Sequence, residues 1–319
     1  MPIIDLPLEK LQEYSGISPK PQDFDSYWQA ALAELDLAAP QPRLQPAGFQ
    51  AKGVECCDLT FQGVRGALVY AKYLRPTSPG SHPCLLCFHG YTMNSGSWSQ
   101  YLPYVLQGFC VAAMDCRGQG GRSTDPGGVG GNTQHGHIIR GVWDGVQDLL
   151  FRHIFLDSVQ LLRAVAGFAE VDKERIAAAG ASQGGALAIA CSALSEQVKR
   201  TVVQMPFLSD FRRTWEMGQG SNAYKELFDY FRLFDPLHER EEELFQRLGY
   251  IDVHFLAPQI RGSVLMAIGL ADVTCLPSTQ FAVYNALRCE KKLCLYPDFG
   301  HEPLPGFADT EFAFVGELS

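Results

Sequence analysis

A serine set among residues with almost no side chain constrains this chain most. Gly180-Ala181-Ser182-Gln183-Gly184 joins an apolar run, "RIAAAGAS", to a run of small residues, "GGALAIACSAL". The first run predicts a strand and the second a helix. Glycines at both ends of the motif let strand and helix approach without a Cβ clash. Such a turn lifts the Ser182 hydroxyl above a sheet edge, and the new helix aims free N–H groups at developing negative charge. A Gly-rich turn with a purely structural role is spelled the same way. Ser182 becomes a nucleophile only if a base and a carboxylate reach the same edge.

Strand-like and helical runs alternate around this corner. "ECCDLTFQ", "GALVYAKYL", "PCLLCFHG" and "FCVAAMD" precede it; "RTVVQMP", "SVLMAIG" and "KLCLYP" follow. With the run into Ser182 they make about eight strands. "DFDSYWQAALAEL" reads as a helix starting near Asp23 or Asp25, and "DSVQLLRAVAGFA" as a helix with Asp157 as its N-cap. "PSTQFAVYNAL" and "DTEFAFVGEL" read as helices too. This alternation predicts an α/β fold whose mostly parallel sheet is covered on both faces. A chain of 319 residues suffices for one such domain over 1–319, with an N-terminal extension over 1–45. The stretch from about 206 to 260 breaks the alternation after the sixth of these strands and reads as a helical insertion over one end of the sheet.

Charge and cysteine usage exclude several classes. A net charge of -9 repels phosphate backbones and anionic lipid, so neither nucleic acid nor membrane is an expected partner. No apolar run is long enough to span a bilayer, and the start "MPIIDLPLEKLQEY" does not resemble an export signal. The expected location is cytoplasmic. Cys84 and Cys87 form a C-x-x-C inside a predicted strand, where residues three apart face opposite ways, so a redox or zinc pair is not expected. The ten cysteines read as reduced core residues.

The remaining parts of a nucleophilic site follow late strands. "SVLMAIG" runs into "LADVTCLPS", which sets Asp272 just past a strand end. "KLCLYP" runs into "DFGHEPLP", which sets His301 just past the next. The order Ser, Asp, His is that of α/β-hydrolases, and strand carboxyl ends gather at one edge of such sheets. Asp298 and Glu302 compete with Asp272 for the carboxylate role. His82, His89, His135, His137, His153, His238 and His254 read as structural or exposed. An oxyanion cradle requires two backbone N–H groups: Gln183, next to the serine, and Tyr91, in the turn "FHGYTMNSGSW" after an early strand. "RGQGG" at 117–121 lacks the Lys-Ser/Thr of a phosphate loop and does not match G-x-G-x-x-G. It reads as a structural corner, with Arg117 anchored by a carboxylate. No metal or cofactor is implied.

These motifs carry a family resemblance. "HGY", "AMDCRGQGGRS", "GHIIRG", "GASQGG", "PFLSDFRR", "GLADVTCLPSTQFAVYN" and "YPDFGHE" resemble carbohydrate esterase family 7, the acetyl xylan esterases and cephalosporin C deacetylases. The resemblance covers nearly the whole chain, "DLPLEKLQEYSG" included. It implies a serine deacetylase acting on small acetylated sugars and cephalosporin-type esters. It maps nucleophile, acid and base onto Ser182, Asp272 and His301, and the oxyanion donors onto Tyr91 and Gln183. It also implies a cytoplasmic homohexamer built as a dimer of trimers. Two departures bear on specificity. Leu276 replaces one of two prolines after Cys275, which frees φ and is expected to shift the acid loop. Ala223 precedes Tyr224 where proline is common, and the pair is expected to line the acyl pocket.

Two rivals stay open at this level. A peptidase on the same scaffold requires an acidic anchor for a free amine, which Glu226, Glu239 or Glu241 could supply. A binding protein on a dead hydrolase fold is the other. A lipase-like lid is not expected, because "LHEREEELFQRL" is too charged.

Overall fold

The computed structural model describes residues 4–37, 39–126, 133–218 and 222–319. The described residues contain nine strands: β1 (Arg43–Pro46), β2 (Val54–Gln62), β3 (Leu68–Pro76), β4 (His82–Phe88), β5 (Cys110–Met114), β6 (Val171–Ala181), β7 (Val198–Gln204), β8 (Ser263–Gly269) and β9 (Lys291–Tyr296). They form one sheet in the order β1-β2-β3-β5-β4-β6-β7-β8-β9. The pairs β1/β2, β2/β3 and β3/β5 are antiparallel, and every pair from β5/β4 to β8/β9 is parallel. The strand beyond the eight expected is β1. It is mostly exposed and carries no alternating pattern, so nothing in its sequence marked it.

Strand periodicity divides the core in two. In β5, Cys110, Ala112 and Met114 face one layer of side chains while Val111 and Ala113 face the other. In β4, Cys84 joins the first layer and Cys87 packs against the second, so the C-x-x-C sulfurs lie on opposite faces. All ten cysteines are free thiols. The first layer is covered by the helices Leu150–Ala166 and Gln183–Ala193. The second is covered by Leu102–Leu106 and Phe307–Gly316. Each fully buried Leu, Ile or Phe in these layers contributes about 1.5–3 kcal/mol relative to exposure.

One helix start differs from expectation, and another falls where expected without a side-chain cap. Asp157 does not cap a helix. It lies inside Leu150–Ala166, fully buried, where the apolar pattern of "LFRHIF" extends the helix upstream. Its carboxylate accepts Arg117 Nε and Nη2, each at 2.6 Å, and the same guanidinium donates to the carbonyl of Val64 at 3.0 Å. The carboxylate expected to anchor Arg117 is therefore Asp157. The helix Phe24–Asp36 follows Asp23, but Asp23 makes no side-chain cap; it accepts the Tyr250 phenol instead.

The insertion between β7 and β8 contains the helices Phe211–Glu216, Lys225–Phe234, Glu241–Leu248 and Val253–Leu256. Its two ends are stitched together by Val253 N–H donating to Leu208 O at 2.9 Å and by Asp210 N–H donating to Asp252 Oδ1 at 3.0 Å. The N-terminal segment is latched to the same point, since Tyr14 donates to Asp210 Oδ2 at 2.7 Å. Residues 127–132 of the Gly-rich loop and 219–221 before Ala223 lie outside the described residues. No described helix is long and apolar enough to cross a membrane.

Candidate active site

Ser182 stands between the end of β6 and the helix Gln183–Ala193 with φ 55° and ψ -119°. A non-glycine residue in that region is strained, and the strain persists only where the surroundings impose it. Here the surroundings are the two glycines. A Cβ on Gly180 would lie 2.3 Å from the carbonyl carbon of Gly184, and one on Gly184 would lie 2.1 Å from the carbonyl oxygen of Phe88. Strand, helix and the loop after β4 therefore meet at van der Waals limits around the serine. Ser182 N–H donates to Gln204 O at 2.9 Å, and Phe207 N–H donates to Ser182 O at 3.1 Å, so the insertion begins against the corner.

Asp272 and His301 come together 29 residues apart. His301 Nδ1 donates to Asp272 Oδ2 at 2.8 Å. Asp272 is fully buried, and its Oδ1 accepts Thr274 N–H at 2.8 Å and Cys275 N–H at 2.9 Å. Gln280 Nε2 donates to Oδ2 at 3.1 Å. An aspartate whose oxygens receive four donors presents an acceptor to the imidazole, which places the His301 proton on Nδ1 and leaves the Nε2 lone pair free. The two loops are also joined through backbone: Leu270 N–H donates to Tyr296 O and Ala271 N–H to Phe299 O, both at 3.0 Å. Of the rival carboxylates, Glu302 accepts Gly300 N–H and Asp298 is exposed; neither bonds to His301. No hydrogen bond joins Ser182 Oγ to His301; contacts of this kind often tighten only when substrate binds.

The Tyr91 and Gln183 N–H groups find no acceptor within the described residues. Their segments are tied together by Gln119, which is fully buried. Gln119 and Gln183 exchange two amide hydrogen bonds, at 2.7 and 3.1 Å, and Gln119 Oε1 also accepts Thr92 N–H at 2.9 Å. A Cβ on Gly120 would lie 2.6 Å from Thr92 O, so the glycines of "RGQGG" let this loop press against the Tyr91 turn. His89 serves the same turn: Cys116 N–H donates to its Nε2 at 2.9 Å, and its Nδ1 donates to Gly90 O at 2.7 Å.

Behind the corner runs an aromatic series. Tyr91 and Phe207 have ring centroids 5.3 Å apart, and Phe207 and Tyr224 4.5 Å apart. Tyr224 is fully buried and its phenol oxygen accepts Leu208 N–H at 3.1 Å, so it backs Phe207; Ala223 packs beside it, half-buried. Leu276 has φ -53°, a value that proline also adopts, so its presence does not displace the acid loop as expected. Cys275 reads in the sequence only as one of the core cysteines, next to the acid loop. Its thiol is fully buried within hydrogen-bonding reach of Ser182, and burial together with the charge of Asp272 pushes it well above the usual thiol range. Gln119 also lacks a signal of its own, although a glutamine enclosed by glycines is one clue to a buried amide, and the sequence marks Glu226 only as a possible amine anchor.

Sheet order, elbow and late-strand loops together define an α/β-hydrolase. The chain belongs to the acetyl xylan esterase family (AXE1), whose model matches residues 1–318. This is carbohydrate esterase family 7, which the motifs resemble. Acetyl xylan esterase 1 from Thermoanaerobacterium sp. JW/SL YS485 is 53% identical with a TM-score of 0.96, covering 98% of this chain and 99% of that one. An acetyl xylan esterase from Paenibacillus sp. R4 is 34% identical with a TM-score of 0.89, over 98% and 99% of the two chains. Acetyl esterase Axe7A of Xylanibacter ruminicola is 24% identical over 285 residues, 87% of this chain; the match spans only 62% of that relative's length.

Proposed function

We propose that this chain is a serine ester hydrolase that removes acetyl groups from small acetylated carbohydrates, such as xylo-oligosaccharides, and from cephalosporin C-type esters. The observation that carries the reading is the hydrogen bond from His301 to Asp272, made at the same sheet edge as the strained Ser182. Ser182 Oγ attacks the acetyl carbonyl while His301 Nε2 takes its proton. Asp272 holds the imidazole and stabilises its charged form. The oxyanion is received by the N–H groups of Tyr91 and Gln183. Collapse of the intermediate expels the sugar alkoxide, which leaves with the proton from His301. Water then attacks the acetyl-enzyme, again through His301, and releases acetate. Ala223 and Tyr224 shape the acyl pocket, Tyr224 from behind Phe207.

An ester fits better than a peptide with a free amino terminus. Two of the three carboxylates available as an amine anchor already have partners: Glu226 holds Tyr91, and Glu241 pairs with Arg212 and His238. A cytoplasmic location and a homohexamer complete the proposal on the strength of family resemblance, and light scattering of the purified protein tests the assembly. The activity is tested with p-nitrophenyl esters from acetyl upwards, with Ser182→Ala as control. Turnover that falls steeply beyond propionyl and vanishes in the variant is the expected result. A preference for longer chains would reject acetyl specificity.

A further inference from the structure

We propose that Glu226, on the insertion helix Lys225–Phe234, is a positioning residue that sets the oxyanion loop by holding Tyr91. The proposal rests on the reading of Tyr91 N–H as an oxyanion donor. Glu226 is 6% exposed and sits where three segments converge. Its Oε1 accepts the Tyr91 phenol at 2.5 Å, and its Oε2 accepts the N–H groups of Ile138 and Ile139 at 3.0 and 3.5 Å. The Tyr91 oxygen in turn accepts His137 N–H at 3.3 Å, and the His137 ring meets the Tyr91 ring edge to face at 5.3 Å. No lysine or arginine pairs with Glu226 among the described residues. The groups that bond to it are Tyr91 and the backbone N–H groups at 137–139, and the titratable group nearest this cluster is the His137 imidazole, which lies against the Tyr91 ring.

Such a carboxylate is costly to bury and is best explained by what it fixes. The Tyr91 ring meets the rings of Phe207, Phe151 and His137, and the phenol is its polar tether. Gln119 fixes the turn at Thr92, one residue further on. Glu226 and Gln119 thus hold the Tyr91 peptide from two sides, one through a side chain and one through the backbone. Placement within a few tenths of an ångström is what an oxyanion donor requires, because the interaction is worth most when the donor is already aimed. The tether also links the insertion to the reaction centre, although Glu226 touches no reacting atom.

Burial raises the Glu226 carboxyl to about 7 against the hydrogen bonds that favour its charged form. The ionised form accepts all of its donors. The acid form carries a proton of its own, which faces either Tyr91 or a backbone N–H and loosens the tether. The acid limb of kcat therefore contains a contribution from Glu226 as well as the requirement for a neutral base.

The test uses the full-length protein and p-nitrophenyl acetate, with Ser182→Ala as control, and compares wild type, Glu226→Gln, Tyr91→Phe and the double variant. Tyr91→Phe keeps the backbone donor and loses the tether alone. Each single variant is expected to lower kcat about 10–100-fold with KM changed less than about threefold. The double variant is expected to be no slower than the slower single one, because both remove one interaction. Glu226→Gln should also lose the Glu226 contribution to the acid limb, so that its kcat falls less steeply than that of wild type as pH drops through 7. Single variants within twofold of wild type, or an additive double variant with an unchanged pH profile, would overturn the proposal. If Glu226→Gln fails to fold by circular dichroism, Tyr91→Phe decides alone. Full turnover by Ser182→Ala would overturn the serine mechanism and this proposal with it. A dead Ser182→Ala beside wild-type-like Glu226→Gln and Tyr91→Phe would overturn only the role of Glu226.

Discussion

Asp272 accepts the Nδ1 proton of His301 at 2.8 Å while its other oxygen is occupied by the backbone N–H groups of Thr274 and Cys275. The carboxylate therefore has one orientation. In Asp272→Asn, the amide oxygen is claimed by those two backbone donors, and the amide nitrogen faces both His301 and Gln280. The imidazole must then present a lone pair at Nδ1, which puts its proton on Nε2, facing Ser182. We expect kcat for p-nitrophenyl acetate to fall by about 10⁴ with folding retained. A loss below tenfold would transfer the role to Asp298 or Glu302.

The contact of Gly184 with Phe88 makes a second prediction. Gly184→Ala places a methyl group 2.1 Å from the Phe88 carbonyl oxygen, and backbone cannot yield as a side-chain tip would. Strand β4 and the Tyr91 turn must move away from the helix. The expected cost is roughly 1–3 kcal/mol in urea unfolding, typical of overpacking. A fall in kcat of at least about tenfold should accompany it, because the cradle opens. Unchanged kinetics would mean that the turn is not part of the cradle.

Gln119→Ala removes the amide that joins Thr92 and Gln183. The Thr92 N–H and the Gln183 carboxamide would lose their shared partner in a buried setting, which costs about 1–3 kcal/mol. Thermal melts read the stability, and kcat is expected to fall about tenfold while KM moves little. Gln119→Glu should not rescue it, because a carboxylate cannot donate to Gln183 Oε1.

Arg117 and Asp157 form a buried, two-pronged ion pair. Arg117→Met leaves Asp157 without its cation in the core and is expected to lower stability by about 3–5 kcal/mol. The double variant Arg117→Met/Asp157→Leu should recover most of that loss, since no charge remains unpaired. Equal destabilisation of single and double variants in urea titrations would contradict this account.

Two buried histidines predict the acid side of the stability curve. Burial and the Arg117, Arg65 and Arg152 charges hold His153 at about 3, and burial with Arg140 holds His137 at about 4, against an ordinary 6.5. Both lie lower in the folded state, so the unfolded chain binds more protons. Their contribution is present above about pH 6.5 and is lost as pH falls towards those values. Each costs roughly 2 kcal/mol by pH 5. Glu226, raised to about 7, acts in the opposite sense and stabilises as pH falls from 7 to 4.5. The difference in melting temperature between wild type and His153→Gln should therefore shift in favour of the variant between pH 7.5 and 5. A constant difference would mean that His153 is not held neutral.

The fold was largely legible because its signals are local. Strands such as "FCVAAMD" are buried on both faces and read as continuous apolar runs, and the glycines around Ser182 mark a turn that little else could fill. Strand β1 was not legible, because an exposed edge strand of four residues has no burial pattern to reveal it. Asp157 was misplaced for a related reason. A carboxylate before a helical run has the spelling of a cap, and only its partner, Arg117, 40 residues away in sequence, shows that it lies inside the helix.

Sequence alone determined the α/β class, the late-strand positions of Asp272 and His301, the serine corner and the division of Cys84 and Cys87 between two faces. These follow from periodicity and chain order, which are properties of neighbouring residues. Tertiary structure alone decided that Asp272 rather than Asp298 or Glu302 meets His301, that Gln119 joins the Tyr91 turn to Gln183, and that Glu226 reaches Tyr91 across 135 residues. Those pairings are hydrogen bonds between buried polar groups on different elements. Their geometry is set by how strands, loops and insertion close upon one another, and no local pattern encodes it.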